Sequence, residues 1–163
     1  MLRYLCCFSC QYQYQLKNSQ LEKKKYKEEY NIDNTVEFLL PIKKGIVIKV
    51  YDGDTITIAF KLPYPESPIY RKSVRLNGID TPEIKGKGVS DKEKVMAIRA
   101  RDFLASLIMN KEIELRNISN EKYGRILADI YLDDIYINDL MVKEGYAVKY
   151  DGGTKYKPDN WSC

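Results

Sequence analysis

The stretch Lys43-Lys44-Gly45-Ile46-Val47-Ile48-Lys49-Val50-Tyr51-Asp52-Gly53-Asp54-Thr55-Ile56-Thr57-Ile58-Ala59-Phe60 carries the reading of the fold. Residues 43–50 and 55–60 are rich in Val, Ile and Thr with partial alternation, the composition of half-buried strands. Between them Asp52-Gly53-Asp54 is the sharpest turn signal in the chain, because Asp and Gly both favour tight backbone geometry. The stretch therefore predicts two consecutive strands joined by an acidic turn.

Working toward the C-terminus, residues 61–68 hold three prolines and read as a loop or hairpin tip. Residues 73–79 predict a third strand, ended by Asp80-Thr81-Pro82, and 85–91 a Gly- and Lys-rich loop. A helix is expected at 92–109, where Ala97, Ala100, Leu104, Leu107 and Ile108 recur at three and four residues along one face. Ser90 or Asp91 is placed to cap it. Residues 112–116 and 125–132 read as strands around a loop at 117–124, and Asp133-Asp134 as a hairpin turn. A short helix at 138–144 ends at Gly145, a natural C-cap, and 146–150 reads as a last strand. This order gives an α+β class: about five strands with Gly-marked bends and a helix between the third and fourth, which suits an OB-type β-barrel with two or three helices. Closure of the barrel does not follow from periodicity.

Residues 1–40 differ from the rest and read as an N-terminal extension to a domain at 41–163. The extension opens apolar and Cys-rich, alternates Gln and Tyr at 11–14, and carries a dense Lys, Glu and Tyr run at 22–30 without an apolar stripe to dock it. We expect a flexible arm, with a packed helix at the run as the alternative. Arg3 interrupts its apolar start and no small-residue cleavage site follows, unlike a secretory signal. Cys6, Cys7 and Cys10 are candidate acylation sites, which with Lys23–Lys25 and Lys27 would give a two-signal association with a membrane. The remaining cysteine is Cys163, so residues 11–162 hold no disulfide, a pattern that fits a reducing, intracellular compartment. No apolar stretch approaches the ~20 residues of a membrane helix.

The chain has 27 basic and 23 acidic residues, a net charge of +4. That excess permits a nucleic-acid partner without demanding one, so the case rests on where charge is placed. There is no histidine, which excludes Ser-His-Asp and Cys-His nucleophile systems and histidine zinc sites. Carboxylates, Arg, Lys, Tyr or a hard metal must then carry any chemistry. Asp52 and Asp54 flank Gly53, and Asp80 and Glu83 bracket Thr81-Pro82 at the end of another strand. Taken singly, each is an ordinary turn residue; taken together, two acidic turns on neighbouring strands can converge on one hard cation with oxygen ligands. Arg75 and Arg125 are candidate phosphate clamps, since a guanidinium binds phosphate with a two-pronged fork. Strand alternation puts Arg75 on the face of Asn77 and Ile79, so a bend near Gly78 is required to bring it to Asp80.

Three motifs then stand in order: Asp52-Gly53-Asp54-Thr55; Arg75-Leu76-Asn77-Gly78-Ile79-Asp80-Thr81-Pro82-Glu83; and Lys122-Tyr123-Gly124-Arg125. In order and internal spacing they resemble the staphylococcal nuclease (thermonuclease-like) family from about Gly45 to Asn160. The resemblance implies a five-stranded OB barrel and a calcium-dependent phosphodiesterase acting on DNA, RNA or both, leaving 3′-phosphates; a monomer is expected. It implies Asp54 and Asp80 as metal carboxylates, Thr81 as a backbone-carbonyl ligand, and Asp52 in the outer shell. Arg75 and Arg125 would hold the scissile phosphate, Glu83 would act on the attacking water, and Lys122, Tyr123 and Tyr156 would contact the nucleotide. Thr154 departs from the family pattern, standing where the prototype has a second nucleotide-contacting tyrosine. The competing reading is an OB-type module that binds nucleic acid or protein without catalysis.

Overall fold

The computed structural model describes residues 13–20, 30–154, 157–158 and 161. Cys6, Cys7, Cys10, Lys23–Lys25, Lys27 and Tyr156 lie outside them. The chain divides into two compact units, Met1–Phe38 and Leu39–Cys163. In the first, a helix spans 13–20 and a 3₁₀ turn spans Ile32–Asn34. Asn31 caps that turn: its side chain accepts from Asp33 and Asn34 N–H while Asn34 returns the bond to Asn31 N–H. Among the described residues no helix is long and apolar enough to cross a membrane.

The second unit is a closed barrel. Its strands are β1 (Lys44–Val50), β2 (Thr55–Phe60), β3 (Tyr70–Leu76), β5 (Glu112–Asn120) and β6 (Ile126–Leu132). The order β3-β2-β1-β5-β6 is antiparallel throughout, and parallel pairing of β3 with β6, with Val74, Arg75 and Leu76 opposite Ile126, Leu127 and Ala128, joins the ends. Closure removes both sheet edges. Inward residues fill it: Val47, Ile56, Ile58, Val74, Leu76, Ile113, Ile126 and Ile130 are essentially inaccessible. Short strands β4 (Ile79–Asp80) and β8 (Val148–Lys149) pair beside it, and β7 (Ile135–Tyr136) forms a hairpin with β6.

Helix α1 (Asp91–Ile108) begins where Ser90 Oγ accepts the Glu93 N–H at 3.1 Å, and its Ala100, Leu104 and Ile108 join the core. Helix α2 (Ile137–Lys143) adds Ile137 and Met141 and ends at Gly145, φ +75°. The expected α+β barrel is thus present, with three differences in its elements. The third strand stops at Leu76 instead of running to Ile79, because Asn77-Gly78 turns the chain with Gly78 at φ +74°. The fourth barrel strand runs on to Asn120, where a loop was expected from 117; Asn117, at φ +51°, lies in the register shift that lets pairing with β6 resume at Ser119. The last strand shrinks to two residues. Residues 61–69 connect β2 and β3 as the loop expected there, with Ser67 Oγ accepting the Leu62 N–H at 2.9 Å and pairing continuing out to Phe60 and Tyr70.

Candidate active site

The turn between β1 and β2 is held locally. Asp52 accepts the Asp54 N–H at 3.2 Å, and Tyr51 N–H donates to Thr55 carbonyl at 2.8 Å. Gly53 is required by space: a Cβ there would lie 2.9 Å from both Ala100 Cβ on α1 and Thr81 Cγ2. The turn therefore packs tightly between the helix and the chain that follows Asp80.

Asp54 is carried inward, only 3% exposed. Its carbonyl accepts Leu76 N–H at 2.8 Å, and Thr55 stands opposite Arg75 in the β2–β3 register. That adjacency puts Arg75 Nη1 2.7 Å from Asp54 Oδ2. The same guanidinium reaches Asp80 Oδ1 with Nη2 at 3.0 Å. Arg75 at the end of β3 and Asp80 in β4 meet because the Asn77-Gly78 turn between them breaks the strand alternation, the bend the sequence required. Asn138, fully buried, fixes that turn by donating to the Asn77 carbonyl at 2.8 Å and accepting the Ile130 N–H at 3.0 Å. Asn77 N–H donates to Ala128 carbonyl at 2.9 Å, and Tyr150 N–H to Gly78 carbonyl at 2.9 Å.

A cavity of about 260 Å³ opens over this pair, lined by Asp52, Asp54, Arg75, Thr81, Glu83, Glu121, Arg125 and Tyr150. Asp80 lies behind, joined through Arg75. Arg125 is held by a residue that the sequence reading did not single out: its Nε and Nη2 donate to the two carboxylate oxygens of Glu121 at 2.7 and 2.8 Å. A charge of opposite sign four residues before Arg125 was the available signal. Glu83 is also supported from a distance. Its N–H donates to Glu93 Oε1 at 3.3 Å, and Glu93, 2% exposed, receives Lys157 Nζ on both oxygens at 2.9 Å. Nothing in the sequence marks a pair 64 positions apart. Lys122 and Tyr123 stand on the rim, facing an adjoining groove and not the cavity, with Tyr123 94% exposed at φ +66°.

Burial pushes the Asp54 carboxyl up to about 7, with Asp52 and Asp80 adding repulsion that Arg75 and Thr55 only partly offset. Burial opposes the charge of Arg75, but Asp54, Asp80 and Glu121 outweigh it and raise its pKa. Four carboxylates (Asp52, Asp54, Glu83 and Glu121) and two guanidinium groups line the recess, with Asp80 behind them on Arg75, an excess of negative charge. All donors are oxygens, the set a hard divalent cation takes. Among the described residues no group of three His, Cys, Asp or Glu side chains is placed to hold a metal ion; Asp54 and Asp80 instead share the Arg75 guanidinium.

A model of the staphylococcal nuclease homologue family matches residues 73–160, a little over half of the chain. The chain belongs to this family. The match covers Arg75, Asp80, Thr81, Glu83 and Arg125; Asp52 and Asp54 precede it. Among curated relatives of this family member, a protein of Escherichia coli described as an uncharacterized endonuclease is 31% identical over 110 residues, covering 66% of this chain and 61% of its own. Another so described, from Haemophilus influenzae, is 33% identical over 106 residues, covering 64% and 51%. A probable endonuclease of Schizosaccharomyces pombe is 27% identical over 159 residues, covering 84% and 62%. The chain spans about half to three-fifths of the length of the curated relatives it matches.

Proposed function

We propose that the chain is a calcium-dependent nuclease that hydrolyses phosphodiester bonds of DNA, RNA or both and leaves 3′-phosphates. One observation carries the reading: Arg75 holds Asp54 and Asp80 at 2.7 and 3.0 Å beneath a recess that Glu83 and Arg125 also line. Endonuclease descriptions of two of the bacterial relatives support it.

In this reading Asp54 and Asp80 hold the cation through their carboxylates and Thr81 through its carbonyl. The bound ion would orient and acidify water and neutralise charge on the phosphoryl oxygens. Arg75 and Arg125 bind the scissile phosphate with planar forks and stabilise the charge that builds on it during attack. Glu121 keeps the Arg125 fork aligned until phosphate competes for it. Glu83 takes the proton of the attacking water, the role a carboxylate must fill in a chain without histidine. Water bonds to phosphorus, the bond to the 5′ oxygen breaks, that oxygen gains a proton from solvent to become a 5′-hydroxyl, and the phosphate stays on the 3′ oxygen. Lys122, Tyr123 and Tyr156 contact the nucleotide from the rim.

The test is incubation with single-stranded DNA and RNA in calcium, magnesium or EDTA, followed by analysis of product ends. Cleavage with calcium, none in EDTA, and 3′-phosphate ends are expected. Absence of cleavage with every divalent ion would overturn the nuclease reading, and 5′-phosphate ends would overturn the stated bond cleavage.

A further inference from the structure

Beside the cavity lies a second groove of about 530 Å³ with the opposite electrostatic character. Lys49, Arg71, Lys72 and Arg125 line it, Thr57 and Ser73 lie between them, and no carboxylate takes part. Arg125 lines both spaces, so the groove continues from the recess. Strand geometry explains the alignment. Arg71, Ser73 and Arg75 alternate on one face of β3, which sets Arg71 about 13 Å from Arg75 along the strand. Ser73 stands opposite Thr57 on β2, and Thr57 opposite Lys49 on β1, so a row of short side chains crosses the three strands and ends at a lysine. Lys49, Arg71 and Lys72 make no ion pair with a described residue, whereas Lys44, Lys94 and Lys143 each pair with a carboxylate. Lys49 is instead positioned over the Tyr51 ring, 5.5 Å from its centroid.

We propose that this groove is a second phosphate-binding site, which takes the backbone of the nucleic-acid strand on one side of the scissile phosphate. The inference rests on the nuclease reading for what occupies the neighbouring recess. A polyanion entering the recess meets four carboxylates, Asp52, Asp54, Glu83 and Glu121; the groove supplies the compensating cations, with a floor of small side chains over which a backbone can pass. The separation of Arg71 from Arg75 covers at most about four nucleotides at the ~3.4 Å rise of a stacked strand. Contacts to phosphate carry no base preference, so the groove adds affinity and register, not sequence specificity.

The experiment compares wild type with the double variant Arg71→Ala/Lys72→Ala and with Lys49→Ala, after equal thermal melts are verified. Binding of a fluorescent single-stranded DNA of about a dozen nucleotides is titrated in EDTA over a series of salt concentrations. Turnover in calcium is measured on that DNA and on a thymidine dinucleotide. Each lost phosphate contact on a single strand lowers the slope of log K against log salt by about 0.7, so the double variant is expected to lose about 1.4 and to bind roughly tenfold more weakly at low salt. Its KM for the long DNA rises, while kcat and dinucleotide turnover stay at wild-type values. Lys49→Ala, on the opposite wall, loses about half as much slope. Unchanged affinity and slope in the double variant would overturn the proposal, as would weaker binding at an unchanged slope, or failure of the wild type to bind the DNA. A wild type that binds with full slope but cleaves nothing would leave the groove standing and remove the nuclease reading instead.

Discussion

At the scale of single residues the site is a contest between burial and charge. Asp54 is 3% exposed, beside two other aspartates, with one shared arginine as counter-charge. Asp54→Asn keeps the shape and removes the buried charge, so in EDTA it is expected to melt about 2–6 °C higher than wild type. The same variant is expected to lose calcium-dependent cleavage, a loss of function with a gain of stability that separates a ligand from a structural acid. A lower melting temperature would mean that the Arg75 pair outweighs desolvation. Arg125→Ala removes a fork that would stabilise the transition state; kcat is expected to fall about 10²–10³-fold, measured by initial rates on DNA. The aspartates, Glu83 and both arginines were legible because turn chemistry and motif spacing are local signals. Glu121 left only a weak local mark, an opposite charge four residues before Arg125; Glu93 and Lys157 left none, because a side chain that holds another across the fold leaves no periodic mark on either strand or helix.

At the scale of elements the geometry depends on two tight places. The β1–β2 turn admits no Cβ at Gly53, with Ala100 and Thr81 both 2.9 Å from where it would stand. Gly53→Ala is expected to destabilise by about 1–3 kcal/mol through overpacking, read by denaturant unfolding, and to lower cleavage because Asp52, Asp54 and Thr81 move together. The second is the Asn77-Gly78 turn, which depends on Asn138. Asn138→Ala leaves the Ile130 N–H and the Asn77 carbonyl without their partner, an expected loss of about 2–4 kcal/mol at ~1–3 per unsatisfied buried group. Its kcat should fall as well, since that turn brings Arg75 to Asp80; full activity at lowered stability would show that the turn holds without it. Here the sequence was half legible. Gly78 announced a bend, but Asn138 lies 61 residues beyond Asn77 and reads only as the first residue of a short helix. Likewise Asn117 resembled the start of a loop, and only pairing with β6 reveals a bulge within a longer strand.

For the whole barrel, hydrophobic patterning and turn residues gave the α+β class, but closure depends on parallel pairing of β3 with β6, a contact between segments some fifty residues apart that no local pattern encodes. Closure is what brings the ends of β2, β3 and β6, with Asp54, Arg75 and Arg125, to one recess. A cation bound there only in the folded state would stabilise the barrel by about 2.7 kcal/mol at a hundred times its Kd, so calcium is expected to raise the melting temperature of wild type and not of Asp54→Asn. The most direct test of the central claim is the initial rate of DNA cleavage against free calcium concentration for wild type, Asp54→Asn and Arg125→Ala. The account predicts a saturable rise from no activity in EDTA for wild type, and near-flat curves for both variants. Cleavage that persists in EDTA, or wild-type curves from either variant, would contradict it.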